Sequence, residues 1–149
     1  MEARMKHPVQ VIPAAYKALT ALGQAVRATG LPESTIELVN LRVSQINGCA
    51  WCLSMHATAL RKAGESDERI DTVAAWRDTM FFIDAEWAAF ALAEAATRIA
   101  DRGDPVSDDV FDEATRHFDE TQLSALLLAI GQINAWNRLN VATHHVAGA

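Results

Sequence analysis

Helix punctuation recurs along this chain at short intervals, while strand patterning is almost absent. There is no sustained apolar–polar alternation and no β-branched cluster, and alanine and leucine dominate. Pro13 suits the first turn of a helix whose apolar stripe (Tyr16, Leu19, Leu22, Val26) ends before Gly30. Pro32 opens a second, with Ile36, Val39, Val43 and Ile46 on one face, stopped by Asn47-Gly48, two residues that tolerate the left-handed conformation. A third starts around Cys49 and runs to about Ala63, with Gly64 beyond it. Ser66 caps a fourth to about Arg77. Residues 78–83 form a connector, and Asp84 opens an alanine-rich fifth helix that ends before Gly103. Ser107 caps a short sixth helix to about Phe118, and Asp119 with Gln122 reads as a capping box for a last, long helix to about Val141. The tail, residues 142–149, is expected to fray.

The expectation is an all-α, single-domain bundle of about seven helices over residues 1–149, without linkers or repeats. The fifth helix (Trp87, Phe90, Leu92, with Ile99) and the seventh (Leu123, Leu126 to Ile130) are apolar on more than one face. Burial between subunits is the simplest explanation, so a homo-oligomer is expected.

Charge narrows the partners. The chain has 13 basic and 19 acidic residues, a formal net charge of −6, and a single adjacent basic pair, Arg61-Lys62. No basic stripe marks a nucleic-acid surface or an attraction to anionic membranes. The longest apolar runs, Trp87 to Ala93 and Ala125 to Ile130, fall far below the ~20 residues of a membrane helix. The N-terminus lacks the apolar core and cleavage site of a secretory signal, so a cytoplasmic location is expected.

In that compartment the stretch "NGCAWCLSMH" (Asn47 to His56) stands out, because it holds both cysteines of the chain. Cys49, Cys52 and His56 sit at i, i+3 and i+7. On a helix the two cysteine Cα atoms would lie ~5 Å apart, within disulfide range, and His56 would share the Cys52 stripe. Both cysteines occupy the first turn, where unpaired N–H groups and the macrodipole favour an anion. A thiol of pKa ~8.5 is about 3% thiolate at pH 7; lowering it to about 6.5 gives roughly 75%. Folding back at Asn47-Gly48 would set Glu37 opposite Ala59, within about a turn of His56, where a carboxylate could orient the ring and pass its proton to water.

Other readings stay open at this point. The cysteines could be small buried hydrophobes, or zinc ligands together with His56 and Glu37, though that mixed set is unusual. Covalent haem attachment is excluded, since Leu53 stands where a histidine is required. His7, His117 and the His144-His145 pair read as solvated residues. Glu94 reads as a polar position of an inter-helix contact, and the four tryptophans as core or interface anchors.

Glu37, the CxxC and His56, within "ELVNLRVSQINGCAWCLSMHATALRKAGESDERI" (core motif 33–64), resemble the AhpD-like alkylhydroperoxidase core of the carboxymuconolactone decarboxylase family. "WRDTMFFIDAEWAAFALAEAATRI" and "INAWNRL" are similar to later parts of it. The resemblance implies a helical subunit assembling as trimers or hexamers, with no bound metal, flavin or other cofactor. It implies a thiol peroxidase in which Cys52 attacks a hydroperoxide, Cys49 resolves the sulfenic acid, His56 is the base and Glu37 the proton relay. Re-reduction would come from an external dithiol of the lipoyl type or a thiol protein. The alternatives are a general thiol–disulfide oxidoreductase or a non-enzymatic redox-sensing or small-molecule-binding oligomer. Members that decarboxylate a lactone typically lack the CxxC. One departure is plain: where the well-studied alkylhydroperoxidases have a histidine directly before the second cysteine, this chain has Trp51, which can donate one hydrogen bond but cannot shuttle a proton.

Overall fold

The computed structural model describes residues 2–148; Met1 and Ala149, the last residue of the tail expected to fray, lie outside them. Among the described residues there are eight α-helices and no strand: α1 (Pro8–Val11), α2 (Pro13–Arg27), α3 (Glu33–Asn47), α4 (Ala50–Lys62), α5 (Asp67–Thr72), α6 (Asp84–Thr97), α7 (Asp108–His117) and α8 (Glu120–Thr143). The helix beyond the expected seven is α1, a single turn held between two prolines. It is too short to show a period, and it is capped by His7, whose Nδ1 accepts from the Val9 N–H (3.3 Å).

Two other segments differ from expectation. The fourth predicted helix is α only to Thr72 and then tightens into a 3₁₀ segment, Val73–Asp78, broken at Ala75 (φ −117°, ψ 32°). Tightening turns both Val73 and Trp76 fully inward. The alanine-rich helix ends at Thr97 and continues only as a 3₁₀ turn, Ile99–Asp101, which leaves Ile99 exposed. The predicted caps at Ser66 and Asp119 are present: Ser66 Oγ accepts from the Arg69 N–H (3.3 Å), and Asp119 Oδ1 from the Gln122 N–H (2.8 Å).

Helix α3 is the centre of the domain, with every residue from Thr35 to Leu41 buried. It separates two apolar clusters. One joins its Ile36, Val39 and Val43 to Leu92, Leu126 and Ile130 of α6 and α8 and to both cysteines. The other joins Leu38 and Leu41 to Leu60, Trp76, Phe82 and Phe90. Patterning pointed to α6 and α8 as apolar on more than one face; α8 does leave Leu127 and Leu128 exposed, while the helix most enclosed within the domain is α3.

Polar side chains fix the register of this packing. Asn47 at the end of α3 donates to Oδ1 of both Asn134 (3.0 Å) and Asn137 (2.9 Å) on α8, and Asn137 Nδ2 donates to Ser44 Oγ (3.0 Å). Glu94 of α6 is the inter-helix polar contact its sequence position suggested. It accepts from Arg42 (2.7 Å), Trp76 Nε1 (2.9 Å) and Arg77 (2.8 Å). Burial opposes its ionisation, but the Trp76, Arg77 and Arg42 donors outweigh burial and hold its carboxyl below the usual range.

Gly48 closes α3 in the left-handed region (φ 69°, ψ 31°), and a Cβ there would meet nothing within 4 Å. The cost of a side chain at this point is therefore conformational alone. Gly48→Ala should lose about 1–2 kcal/mol in urea unfolding, and Gly48→Asn less. A Gly48→Ala protein as stable as wild type would show that the turn does not depend on this backbone conformation.

Candidate active site

The turn at Gly48 leaves Cys49 outside α4, as its N-cap, and Cys52 inside the first turn. Cys49 Sγ accepts from the Cys52 N–H (3.3 Å), so the open end of the helix serves the first cysteine rather than both. The two sulfurs are joined as a disulfide, with Cα atoms 5.3 Å apart. Both side chains are buried, and Cys52, not Cys49, borders the main cavity.

The same turn folds α4 back against α3 and brings Glu37 to His56. Glu37 Oε2 lies 2.6 Å from His56 Nδ1, and Arg27 of α2 donates to Oε1 at 2.7 Å. Burial alone would push the Glu37 carboxyl up. The hydrogen bond and charge of His56, and then of Arg27, outweigh it and hold the group below the usual carboxylate range. An ionised Glu37 accepts only, so the hydrogen between the two sits on His56 Nδ1, and in the neutral ring the lone pair is on Nε2. Among the described residues that Nε2 is buried and has no partner, as does Asn40 Oδ1 one turn beyond Glu37. His56 and Asn40 both line the cavity beside Cys52.

The cavity measures about 780 Å³ and is walled mainly by Tyr16, Trp51, Met55, Ile133 and Trp136. Gly23 of α2 lines the same cavity and packs close to α8, where a Cβ would come within 2.9 Å of Gln132 Nε2. Gln132 in turn donates to the Leu19 carbonyl (2.6 Å), so the close approach locks α2 in place.

The four residues singled out from the sequence, Glu37, Cys49, Cys52 and His56, come together here. Others join them that sequence reasoning left aside. Asn140 of α8 is buried, with Nδ2 3.2 Å from Cys52 Sγ and 3.7 Å from Cys49 Sγ. His7, expected to be solvated, is buried with Nε2 2.9 Å from Asn140 Oδ1. His145, also expected to be solvated, is half-buried, its ring 5.2 Å from Trp51 and 5.4 Å from His7. The tail is anchored at this point: the His145 N–H donates to the Asn140 carbonyl (2.9 Å), and the Arg4 N–H to that of Thr143 (2.9 Å). His144 is exposed, and His117 pairs with Glu113 (3.0 Å) away from the cavity. One signal was available for Asn140. Asn134, Asn137 and Asn140 recur every third residue along the second half of α8, which marks a polar seam on one face of the helix. Among the described residues no three His, Cys, Asp or Glu side chains converge as metal ligands.

Helical architecture and a CxxC disulfide beside a buried Glu–His pair define an AhpD-like protein. The chain belongs to the carboxymuconolactone decarboxylase family, whose profile matches residues 13–95. It is 36% identical over 133 residues to the uncharacterized protein YdfG of Bacillus subtilis, covering 89% of each chain. The crystal structure of ATU0492 from Agrobacterium tumefaciens, a protein of unknown function, superposes with a TM-score of 0.91 at 34% identity, covering 99% of both chains. A shorter match, 46% identical over 43 residues, is to the alkyl hydroperoxide reductase AhpD of Bradyrhizobium diazoefficiens; it covers 29% of this chain and 24% of that protein.

A carboxyl held low in the folded state contributes stability that is fully present above its ordinary pKa of about 4.5 and is lost as pH falls through the folded value. Glu37→Gln keeps the shape and removes the charge. At pH 7 the oxidised variant should be less stable than wild type by about 1–3 kcal/mol, and the gap should narrow by pH 3. Urea unfolding at the two pH values reads both effects; a gap independent of pH would mean that the Glu37 charge contributes nothing to the pairing.

Proposed function

We propose that the protein is a thiol-dependent peroxidase that reduces organic hydroperoxides through a Cys49/Cys52 dithiol–disulfide cycle. The observation that carries this reading is the placement of Cys52 at an apolar cavity together with an unpartnered His56 Nε2 whose ring is held by Glu37.

In the reduced protein His56 Nε2 takes the proton of the Cys52 thiol. The thiolate attacks the outer oxygen of ROOH: an S–O bond forms, the O–O bond breaks, and RO⁻ leaves. His56 returns the proton to give ROH, and the sulfur, oxidised by two electrons, is a sulfenic acid. Glu37 orients the imidazole and balances its transient positive charge. Arg27, always a donor, closes the other side of the carboxylate. Cys49 then attacks the Cys52 sulfur, releasing water and forming the disulfide, before further oxidation can occur. An external dithiol completes the cycle. Its thiolate attacks the cavity-facing Cys52 sulfur, Cys49 leaves as a thiolate supported by the Cys52 N–H, and the second thiol of the reductant frees Cys52. A reducing cytoplasm with lipoyl-type dithiols or thiol proteins supplies these electrons. The exposed Leu127 and Leu128 of α8, with Ile12 and Tyr16 near the N-terminus, offer apolar surface for the contacts of a homo-oligomer, proposed to be a trimer or hexamer.

Trp51 directly before Cys52 favours a second reading, thiol–disulfide exchange or redox sensing without peroxide turnover. Stopped-flow consumption of cumene hydroperoxide by the reduced protein, with dihydrolipoamide as electron donor, separates the two. The peroxidase reading predicts consumption well above that of a free thiol, faster with cumene hydroperoxide than with hydrogen peroxide because the wall is apolar and aromatic, and abolished in Cys52→Ser. A rate equal to that of a free thiol would overturn it in favour of exchange.

A further inference from the structure

The helix terminus does not serve Cys52: the N–H that points at a sulfur points at that of Cys49. The direct donor to Cys52 Sγ in the structure is the side-chain amide of Asn140, 88 residues away on α8. Which end of that amide faces the sulfur follows from its other neighbour. A backbone N–H can only donate, so the Val9 N–H fixes His7 Nδ1 as an acceptor. A neutral ring then carries its hydrogen on Nε2, 2.9 Å from Asn140, and the atom that receives it must be Oδ1. Nδ2 is left to face the sulfurs.

We propose that Asn140 is the hydrogen-bond donor that supports the negative charge on Cys52, and that His7 is a positioning residue that locks the amide in its donating orientation. The inference rests on Cys52 being the reactive sulfur. It makes the N-terminal segment part of the active site: the N-cap residue of α1 supplies the lock, and Arg4 ties the segment to the end of α8 through the Thr143 and Ala142 carbonyls (2.9 and 3.3 Å). It also describes how a chain with Trp51 before its second cysteine supplies a polar partner to that sulfur. The partner comes from across the bundle, while Trp51 lies against His145. A charge-assisted hydrogen bond of this kind stabilises the ionised partner well beyond a neutral one.

The test is the thiolate absorbance of reduced protein titrated with pH in a Cys49→Ser background, where Cys52 alone titrates. Asn140→Ala should raise the midpoint by about one pH unit or more, a tenfold or larger loss of acidity, as expected when a charged group loses a hydrogen bond. His7→Phe should raise it by less, since the amide stays but can turn. If Asn140→Ala does not fold, Asn140→Leu, nearly isosteric, uncharged and unable to donate, should raise the midpoint instead. An unchanged midpoint in a folded Asn140 variant would overturn the donor assignment; a shift in Asn140→Ala with none in His7→Phe would overturn the lock. A merely structural role would lower the melting temperature without moving the titration. Because the readout is ionisation and not turnover, it stands even if the wild-type protein proves inert towards hydroperoxides.

Discussion

The left-handed residue at Gly48 sets nearly everything that follows. By reversing the chain in one step it lays α4 against α3, and the reversal has three consequences at once. Glu37 meets His56 across the pair, Cys49 is left outside the helix as its cap, and Cys52 enters the first turn facing the cavity. A wider loop would let the two helices slide, and a slip of one residue would turn His56 roughly 100° from the carboxylate. The site is thus a property of one turn held rigid by its surroundings. Asn47, next to Gly48, is pinned to α8 by two hydrogen bonds, which prevents the turn from opening.

Helix α8 closes the site from the other side. Its asparagines at 134, 137 and 140 form a polar seam along one face of the helix. The first two fix its register on α3, and the third reaches the cysteines. A buried amide without partners destabilises a fold by about 1–3 kcal/mol, which favours the single register in which all three are satisfied. The same physics makes the unpartnered His56 Nε2 and Asn40 Oδ1 informative. Both border a cavity large enough for an organic substrate, where a bound group or water can complete them.

Much of this was legible in the sequence because it depends on local rules. Helix stops, caps and the i, i+3, i+7 spacing placed the CxxC and His56, and counting outward from Gly48 placed Glu37 beside them. What escaped depends on distant chain segments or on marginal elements. His7 and His145 sit near the two termini, where sequence suggests solvation; they are drawn inward by aromatic contacts and by Asn140. Helix α1 is one turn long and shows no period. The 3₁₀ segment after Thr72 follows from the demand that Val73 and Trp76 both enter the core, which only the tertiary packing imposes. Asn140 lay in plain view as part of a three-residue repeat, but its target, 88 residues earlier, did not.

The central claim is that Cys52 is the sulfur that meets the oxidant. Its most direct test is to treat reduced Cys49→Ser protein with one equivalent of organic hydroperoxide in the presence of dimedone and to locate the adduct by mass spectrometry. The account predicts a single sulfenic-acid adduct on Cys52, and none on Cys49 in the matching Cys52→Ser protein. An adduct on Cys49 in that second protein, with Cys52 unlabelled in the first, would contradict it and make the helix-capping cysteine the nucleophile.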